Sequence, residues 1–439
     1  MYSKMVEKLN TKFNIDKLIL TVVFFLYFTF SYMSSMIIFI FRRHFIVVAF
    51  LIFIFGVAVL LFLSSSRMKI DKYILAWFAI FLISLIRNGD IQQGNFEPSL
   101  YFLAGIFVPL LLKKYPIERI GYKIIGFYSL IHVFFGFFFL VFPNILKGNI
   151  DAFYEVTDVF YDKLLYHINS GYMVGITTHY STEGMYMAFA FVLAASALLY
   201  AMNVKDSKRI NGFVFSAVFL IGLFLTGKRA QLVFAAIAIC IVYFLANVFG
   251  NYSRRIKKFL VFLFIIIILL VICLNIPAFS STIARFAIGG DFDTFSSSRV
   301  STLWIPALEQ FADNPIFGIG WRHFKWDFPQ RQGVFYVNND VHCVYLQLLC
   351  EGGILFGGFV LFVMIWTYIL SIKNLLYLKR RRSFTDTYKY LMISVGFQTF
   401  FLLYCVTGNP LYDIQCFYPY LFSCAVAYKY DLNLKRNTE

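Results

Sequence analysis

Charged residues are scarce in this chain. Of its 439 residues only 14% are Asp, Glu, Lys or Arg, while 60% are hydrophobic; a water-soluble domain carries about 25% charge. Also missing is the strict alternation over roughly ten residues that marks membrane β-strands, which excludes a β-barrel. No C-x-x-C pair and no Cys/His spacing suited to a metal occurs, so the seven cysteines at 240, 273, 343, 350, 405, 416 and 424 read as buried thiols. A phosphate-binding G-x-x-x-x-G-K-[ST] loop is absent. The first apolar run is too long for a typical signal-peptide core and lacks a small-residue cleavage site, so it reads as a retained signal anchor.

What is present in their place is a series of long apolar runs. Leu18–Phe41, Phe45–Leu63 and Phe259–Ile276 are each long enough to cross a hydrocarbon core of about 30 Å. The pattern predicts an all-α polytopic membrane protein, a single integral domain over 1–439 with about 12 spans. They lie near 18–41, 45–63, 73–86, 99–112, 124–142, 184–202, 212–226, 230–249, 259–276, 344–372, 390–406 and 416–428. With both termini placed in the cytoplasm, most of the 39 Lys and Arg residues fall in short cytoplasmic segments, Arg254-Arg255 and Arg380–Arg382 among them, as the positive-inside rule requires. The net charge of +16 is then explained by topology and by attraction to anionic lipid, with no nucleic acid partner. Two large loops face outward, 143–183 and 277–343, the second with a short helix. Chemistry carried by such loops lies on the side away from ATP and nucleotide sugars.

Several polar residues break the apolar pattern. Lys228 and Arg229 join two spans, with no acid nearby in sequence. They read either as a snorkelling pair at a tight hairpin or as an anion site, because Arg offers a planar fork of donors and the following helix start adds its dipole. Arg299 precedes a stripe of Val300, Leu303, Trp304, Ala307, Leu308 and Phe311, the spacing of a short amphipathic helix. Arg299 itself reads as a solvated loop cation or as a second anion ligand. His342, at the start of the tenth span, is either an interfacial histidine or a general base or hydrogen-bond donor. Glu351, in the same span, is expected to face the bundle or a water-filled cavity. Gly352-Gly353 and Gly357-Gly358 are expected to admit a neighbouring helix. His132 reads as a packing residue; His167, His179 and Glu183 read as outer-loop groups. The aromatics Trp304, Trp321, Phe324, Trp326, Phe328 and Tyr336 form either an interfacial belt or a platform for sugar rings.

Three of these stretches resemble elements of a known family. Thr226-Gly-Lys-Arg-Ala230 resembles the short Ser-Arg-Gly-type element that opens a span in the superfamily of O-antigen ligases and Wzy polymerases. Asn314-Pro-Ile-Phe-Gly-Ile-Gly-Trp321 resembles its P-hydrophobe-x-G-x-G element. Val341-His-Cys-Val-Tyr-Leu-Gln-Leu-Leu-Cys-Glu-Gly-Gly-Ile354 resembles its H-N-x-Y-L-Q-x-x-x-E-x-G element. The resemblance covers roughly 226–358. Cys343 stands where the family usually has Asn, and Lys228 and Ala230 flank Arg229 where Ser and Gly are usual.

The resemblance implies a GT-C-like membrane glycosyltransferase of the bacterial inner membrane that performs an inverting, metal-independent transfer on the periplasmic face, without a cofactor. Its donor would be an undecaprenyl-pyrophosphate-linked glycan and its acceptor a growing polysaccharide, with membrane lipids around it and a chain-length regulator and a flippase as partners. By position, Arg229 and Arg299 would neutralise the pyrophosphate leaving group and His342 would orient or deprotonate the acceptor hydroxyl. Lys228, Arg322, Tyr345 and Glu351 are the further substrate-binding candidates. Polymerisation of repeat units into O-antigen or capsule is the first expectation and ligation of glycan to lipid A–core the second. A lipid-linked oligosaccharide transporter would favour an internal repeat, and none is evident between the halves.

Overall fold

A computed structural model describes residues 18–33, 54, 71–88, 97–114, 116–148, 150, 158–177, 179–204, 207, 209–246, 299–325 and 340–436. Apart from residue 54 in the second, the expected second and ninth spans lie outside the described residues. Helices make up the regular structure of the rest; among the described residues the only pairing of β type is an isolated bridge between Asn88 and Trp321. In chain order the helices are α1 (Leu18–Tyr32), α2 (Lys72–Ile86), α3 (Glu97–Leu100), α4 (Leu103–Lys114), α5 (Glu118–Val141), α6 (Pro143–Lys147), α7 (Asp158–Asn169), α8 (Tyr180–Val204), α9 (Arg209–Leu225) and α10 (Arg229–Ala246). A π-helical turn at Val300–Trp304 runs into α11 (Ile305–Asp313), and α12 (Val344–Arg380), α13 (Asp386–Tyr404) and α14 (Ile414–Arg436) complete the series.

Four of these, α5, α8, α10 and α12, are long and apolar enough to cross a membrane. The chain is a membrane protein. At the centre of the bundle α13 packs against α8, α10, α12 and α14, and α14 also covers α4. The middle of α13, from Leu391 to Phe401, is buried without a break, and its polar residues Ser394 and Gln398 bond within the bundle. The core is aromatic to an unusual degree: Phe401 stacks on Tyr420 at 3.9 Å and Tyr27 on Tyr418 at 4.4 Å. Such rings bury much apolar area per residue.

Charges gather at the two ends of the bundle. At one end Asp71 caps α2 through the Ile74 amide (3.3 Å) and pairs with Lys113, while Glu118 pairs with Lys429. At the other end lie Arg87, Lys228, Arg229, Arg299, Arg322 and His342, at the tips of α2, α9, α10 and α12 and in the segments between them.

The first outer loop is more structured than its sequence suggested. It contains α6 and α7, and α8 already begins at Tyr180, so Glu183 lies in the first turn of a helix with no exposure. His132 on α5 meets it there: His132 Nδ1 is 2.9 Å from Glu183 Oε2, and Nε2 is 2.9 Å from the Tyr32 carbonyl oxygen. His132 is thus a packing residue with both nitrogens engaged, and Glu183 is its partner instead of a loop acid.

Candidate functional site

The polar island takes its shape from a broken helix. The apolar run after His342 reads as one span, but α12 is interrupted at Gly353, whose φ of 62° and ψ of −167° belong to a region open essentially to glycine. A helix broken in this way loses the bonds from the amides of 354 and 355 to the carbonyls of 350 and 351. Residues 315–320 replace them. Ile354 N–H donates to Pro315 O (2.8 Å) and Leu355 N–H to Ile316 O (3.2 Å), while Ile319 N–H donates to Cys350 O (2.9 Å) and Gly320 N–H to Glu351 O (2.8 Å). Each of these freed groups is satisfied, as buried backbone demands.

This insertion explains the glycines in both motifs. A Cβ on Gly318 would stand 2.5 Å from the Glu351 carbonyl carbon, and one on Gly353 would stand 2.3 Å from the Ile316 oxygen. A Cβ on Gly357 would lie 2.0 Å from the Leu348 oxygen. The expectation that Gly352, Gly353 and Gly357 admit a neighbouring helix is therefore corrected. They admit the 315–320 turn and let the two halves of α12 meet. Arg87 locks the turn from the tip of α2, donating through Nη1 to the Phe317 carbonyl and through Nη2 to that of Gly318 (3.2 Å).

The short helix after Arg299 exists, but its buried face is shifted. Leu303, Pro306, Ala307 and Gln310 face the protein, while Val300 and Leu308 are exposed. A π-helical turn carries an extra residue per turn, which rotates the later positions away from the regular stripe. Trp321 and Phe324 are buried core residues, so neither serves as an interfacial anchor or an open sugar platform; Trp321 stacks on Tyr412 at 4.9 Å.

Around the break lies a closed polar network. Arg322 Nη1 donates to Asp340 Oδ1 (2.6 Å), and the guanidinium lies over the Tyr412 ring at 4.6 Å. Gln347 Nε2 donates to Asp340 Oδ1 and to Glu351 Oε1, both at 3.0 Å, and its Oε1 accepts from the Val341 amide at 3.2 Å. Tyr412 Oη donates to Glu351 Oε2 (3.1 Å). Glu351 faces the bundle with no exposure and Arg322 retains 4%. Tyr345, a third candidate, is half-buried and donates to the Leu402 carbonyl on α13 (2.7 Å). Asp413 borders the same network; burial pushes its carboxyl up to about 7, with the Asp340 charge adding to the rise and Arg322 opposing it.

Beside this network the structure gathers a second, more open group. His342, two residues ahead of α12, is half-buried and holds a left-handed φ of 57°. Such a backbone costs of order 1–3 kcal/mol and persists only where its surroundings enforce it. The ring meets Asn409, whose Nδ2 lies 3.1 Å from Nδ1. The His342 pKa is lowered to about 4, chiefly by burial and next by the Arg299 charge, with Lys228 adding to the fall and Asp340 opposing it. That pattern places Arg299 and Lys228 within electrostatic reach of the imidazole. Burial likewise lowers the pKa of the Arg299 guanidinium, while Tyr404 and Tyr180 oppose the shift.

Lys228 stands 4.0 Å over the Tyr180 ring at the head of α8. Arg229, half-buried, is the first residue of α10 and directly follows Lys228. One turn in, Gln231 Nε2 donates to the Ser181 carbonyl (3.0 Å), which ties the head of α10 to that of α8. Next to Tyr180 are His167 (ring centres 4.3 Å apart) and Tyr172 (4.9 Å), so α7 borders the cationic group. Asn409 was missed by sequence reasoning. Its only local signal is the turn sequence Gly408-Asn409-Pro410 between the last two expected spans.

An all-helical membrane protein with cations and a histidine at one end of its bundle is the class that fold and site define. Residues 213–363 match the Wzy_C family model, described as O-antigen ligase, so the chain carries a Wzy_C domain in accord with the O-antigen polymerase and ligase superfamily. The description of the matching family points to a membrane glycosyltransferase-like enzyme and to lipid-linked glycans as the class of substrate. No curated protein matches the chain. The matched segment contains Lys228, Arg229, Arg299, Arg322, His342, Tyr345 and Glu351, but not Asn409.

Proposed function

We propose that this protein polymerises undecaprenyl-pyrophosphate-linked repeat units into O-antigen or capsular polysaccharide on the periplasmic face of the inner membrane. The observation that carries the reading is the convergence of Lys228, Arg299 and His342, far apart in sequence, on one half-buried site at the ends of apolar helices. In a single displacement of the GT-C kind, the acceptor hydroxyl oxygen attacks the anomeric carbon of the donor sugar. The bond from that carbon to the phosphate oxygen breaks with its electron pair leaving on the pyrophosphate, and the anomeric configuration inverts. Arg229, Arg299 and Lys228 offset the charge that develops on the leaving group, where preorganised donors have most effect. His342, neutral because burial and its cationic neighbours depress its pKa, takes the hydroxyl proton. Arg322, Glu351 and Tyr345 shape the wall against which the glycan lies. The protein spans the membrane about twelve times with both termini cytoplasmic, and it works beside a flippase and a chain-length regulator.

A second reading, ligation of finished glycan to lipid A–core, is favoured by the description of the matching family. The departure at Cys343 from the ligase-like motif favours the polymerase. A deletion strain separates them. Loss of a polymerase leaves single-repeat glycans on the cell surface, whereas loss of a ligase leaves lipid-linked polymer and bare core. In liposomes, purified protein given the lipid-linked repeat unit should build a ladder of products; intact transport of the unit with no ladder would sink the enzyme reading.

A further inference from the structure

We propose that Asn409 is a positioning residue for His342, holding its ring through Nδ1 so that Nε2 is the nitrogen presented to the acceptor hydroxyl. The inference rests on the reading of His342 as the acceptor's base and extends the site beyond the segment the family model covers.

The geometry begins with the 3.1 Å contact between Asn409 Nδ2 and His342 Nδ1. Asn409 is held firmly. It retains 9% exposure, and its carbonyl accepts from the Tyr412 amide at 3.0 Å. Tyr412 is tied in turn to Glu351 (3.1 Å). The turn that carries Asn409 bonds back onto α13, where Gly408 N–H donates to Tyr404 O (3.0 Å), and the start of α12 joins it as Val344 N–H donates to Cys405 O (2.9 Å). Histidine and amide therefore sit on two segments locked to each other. Cys343, next to the histidine, has no amide to offer, so this one reaches His342 from the α13–α14 turn.

A second observation bears on the chemistry. Asn409 Oδ1 is buried and has no hydrogen-bond partner, which is costly unless a donor arrives. A half-turn of the amide exchanges Nδ2 and Oδ1. With Nδ2 toward the ring, Nδ1 accepts and Nε2 bears the proton; with Oδ1 toward it, Nδ1–H donates and the Nε2 lone pair is free. When Nε2 takes the proton of the acceptor hydroxyl, both ring nitrogens bear hydrogen and Oδ1 receives Nδ1–H. The charged groups that act on the ring are Arg299 and Lys228, from other segments, and Asp340, two residues ahead of it. Asp340 is engaged by Arg322 and Gln347. An uncharged amide at 409 thus holds the ring without fixing a proton on it, as a carboxylate there would.

The test uses full-length protein in liposomes with lipid-linked glycan extracted from the deletion strain, and reads initial rates against pH. Asn409→Ala should lower kcat at least about tenfold with KM for the glycan nearly unchanged. Asn409→Asp, nearly isosteric, should move the acid limb of kcat/KM upward by about one unit or more, because a carboxylate beside an imidazole favours its charged form. A purely structural role would lower the amount of active protein without moving that limb. The inference is overturned if the limb of Asn409→Asp stays in place while His342→Ala is inactive. Full activity in His342→Ala would instead overturn the site reading, and this inference with it.

Discussion

Two histidines in this protein, one inside a helix and one just ahead of a helix, have opposite characters. His132 lies within the bundle with no exposure and both nitrogens engaged, one by Glu183 and one by the Tyr32 carbonyl at 2.9 Å each. His342 sits at the bundle end, half-buried, on a strained backbone, with an amide at Nδ1 and two cations in range. One is a cross-link between helices. The other is anchored on one side and has a nitrogen left for chemistry. In an apolar protein the presence of a histidine therefore says less than how many of its nitrogens the fold uses.

The comparison breaks most sharply by substitution. Under the proposed function, His342→Ala should cost ~10²–10⁴-fold in polymer formed per molecule, the range for a general base, with membrane abundance unchanged on immunoblots. Arg299→Ala and Arg229→Ala should each cost ~10²–10³-fold in kcat, as expected for groups that stabilise developing charge. Arg229→Lys should recover part of that loss if charge matters more than the fork of donors. Glu183→Ala should behave in the opposite manner. Stranding buried His132 costs ~1–3 kcal/mol, seen as a lower thermal midpoint in detergent, with turnover per folded molecule kept. Turnover lost without a drop in midpoint would erase the distinction between the two histidines.

The smallest effect sharpens the comparison by pH. His342 has a pKa lowered to about 4, so a neutral base is available above that value and activity should fall as pH drops through it. Lys228 adds to the lowering. Lys228→Met should therefore move the acid limb of kcat/KM upward, by less than about one unit; a limb that moved downward would contradict the assigned electrostatics.

Much of the site was legible because its residues are costly where they stand. Lys228, Arg229, Arg299, His342 and Glu351 interrupt an apolar sequence, and such interruptions point to function. Three features were not legible, each for a physical reason. The break at Gly353 is stabilised by residues 315–320, and hydropathy along 344–372 cannot register partners from a distant segment. The π-helical turn after Arg299 rotates an apolar stripe that a 3.6-residue period draws straight. Asn409 lies in a turn whose Gly-Asn-Pro sequence explains itself locally, so its contact with His342 emerges only when α13 and α14 are set against α12. Trp321 shows the converse, since an aromatic in an outer loop suggested an interface and proved to be core.

The interrupted helix also makes two distant segments depend on each other. A segment that enters the bilayer as an unbroken rod would hold Ile354 and Leu355 by its own carbonyls at 350 and 351. To reach the final state it must give up those two bonds, and it regains four when residues 315–320 arrive. Neither half of that exchange is favourable alone, since an opened helix in lipid strands its amides and a docked turn needs the opened helix. Opening and docking are thus thermodynamically coupled, and the scaffold on which His342 stands depends on both. A substitution that expels the 315–320 turn would therefore disturb α12 as far as its start, a region distant from the altered residue in sequence.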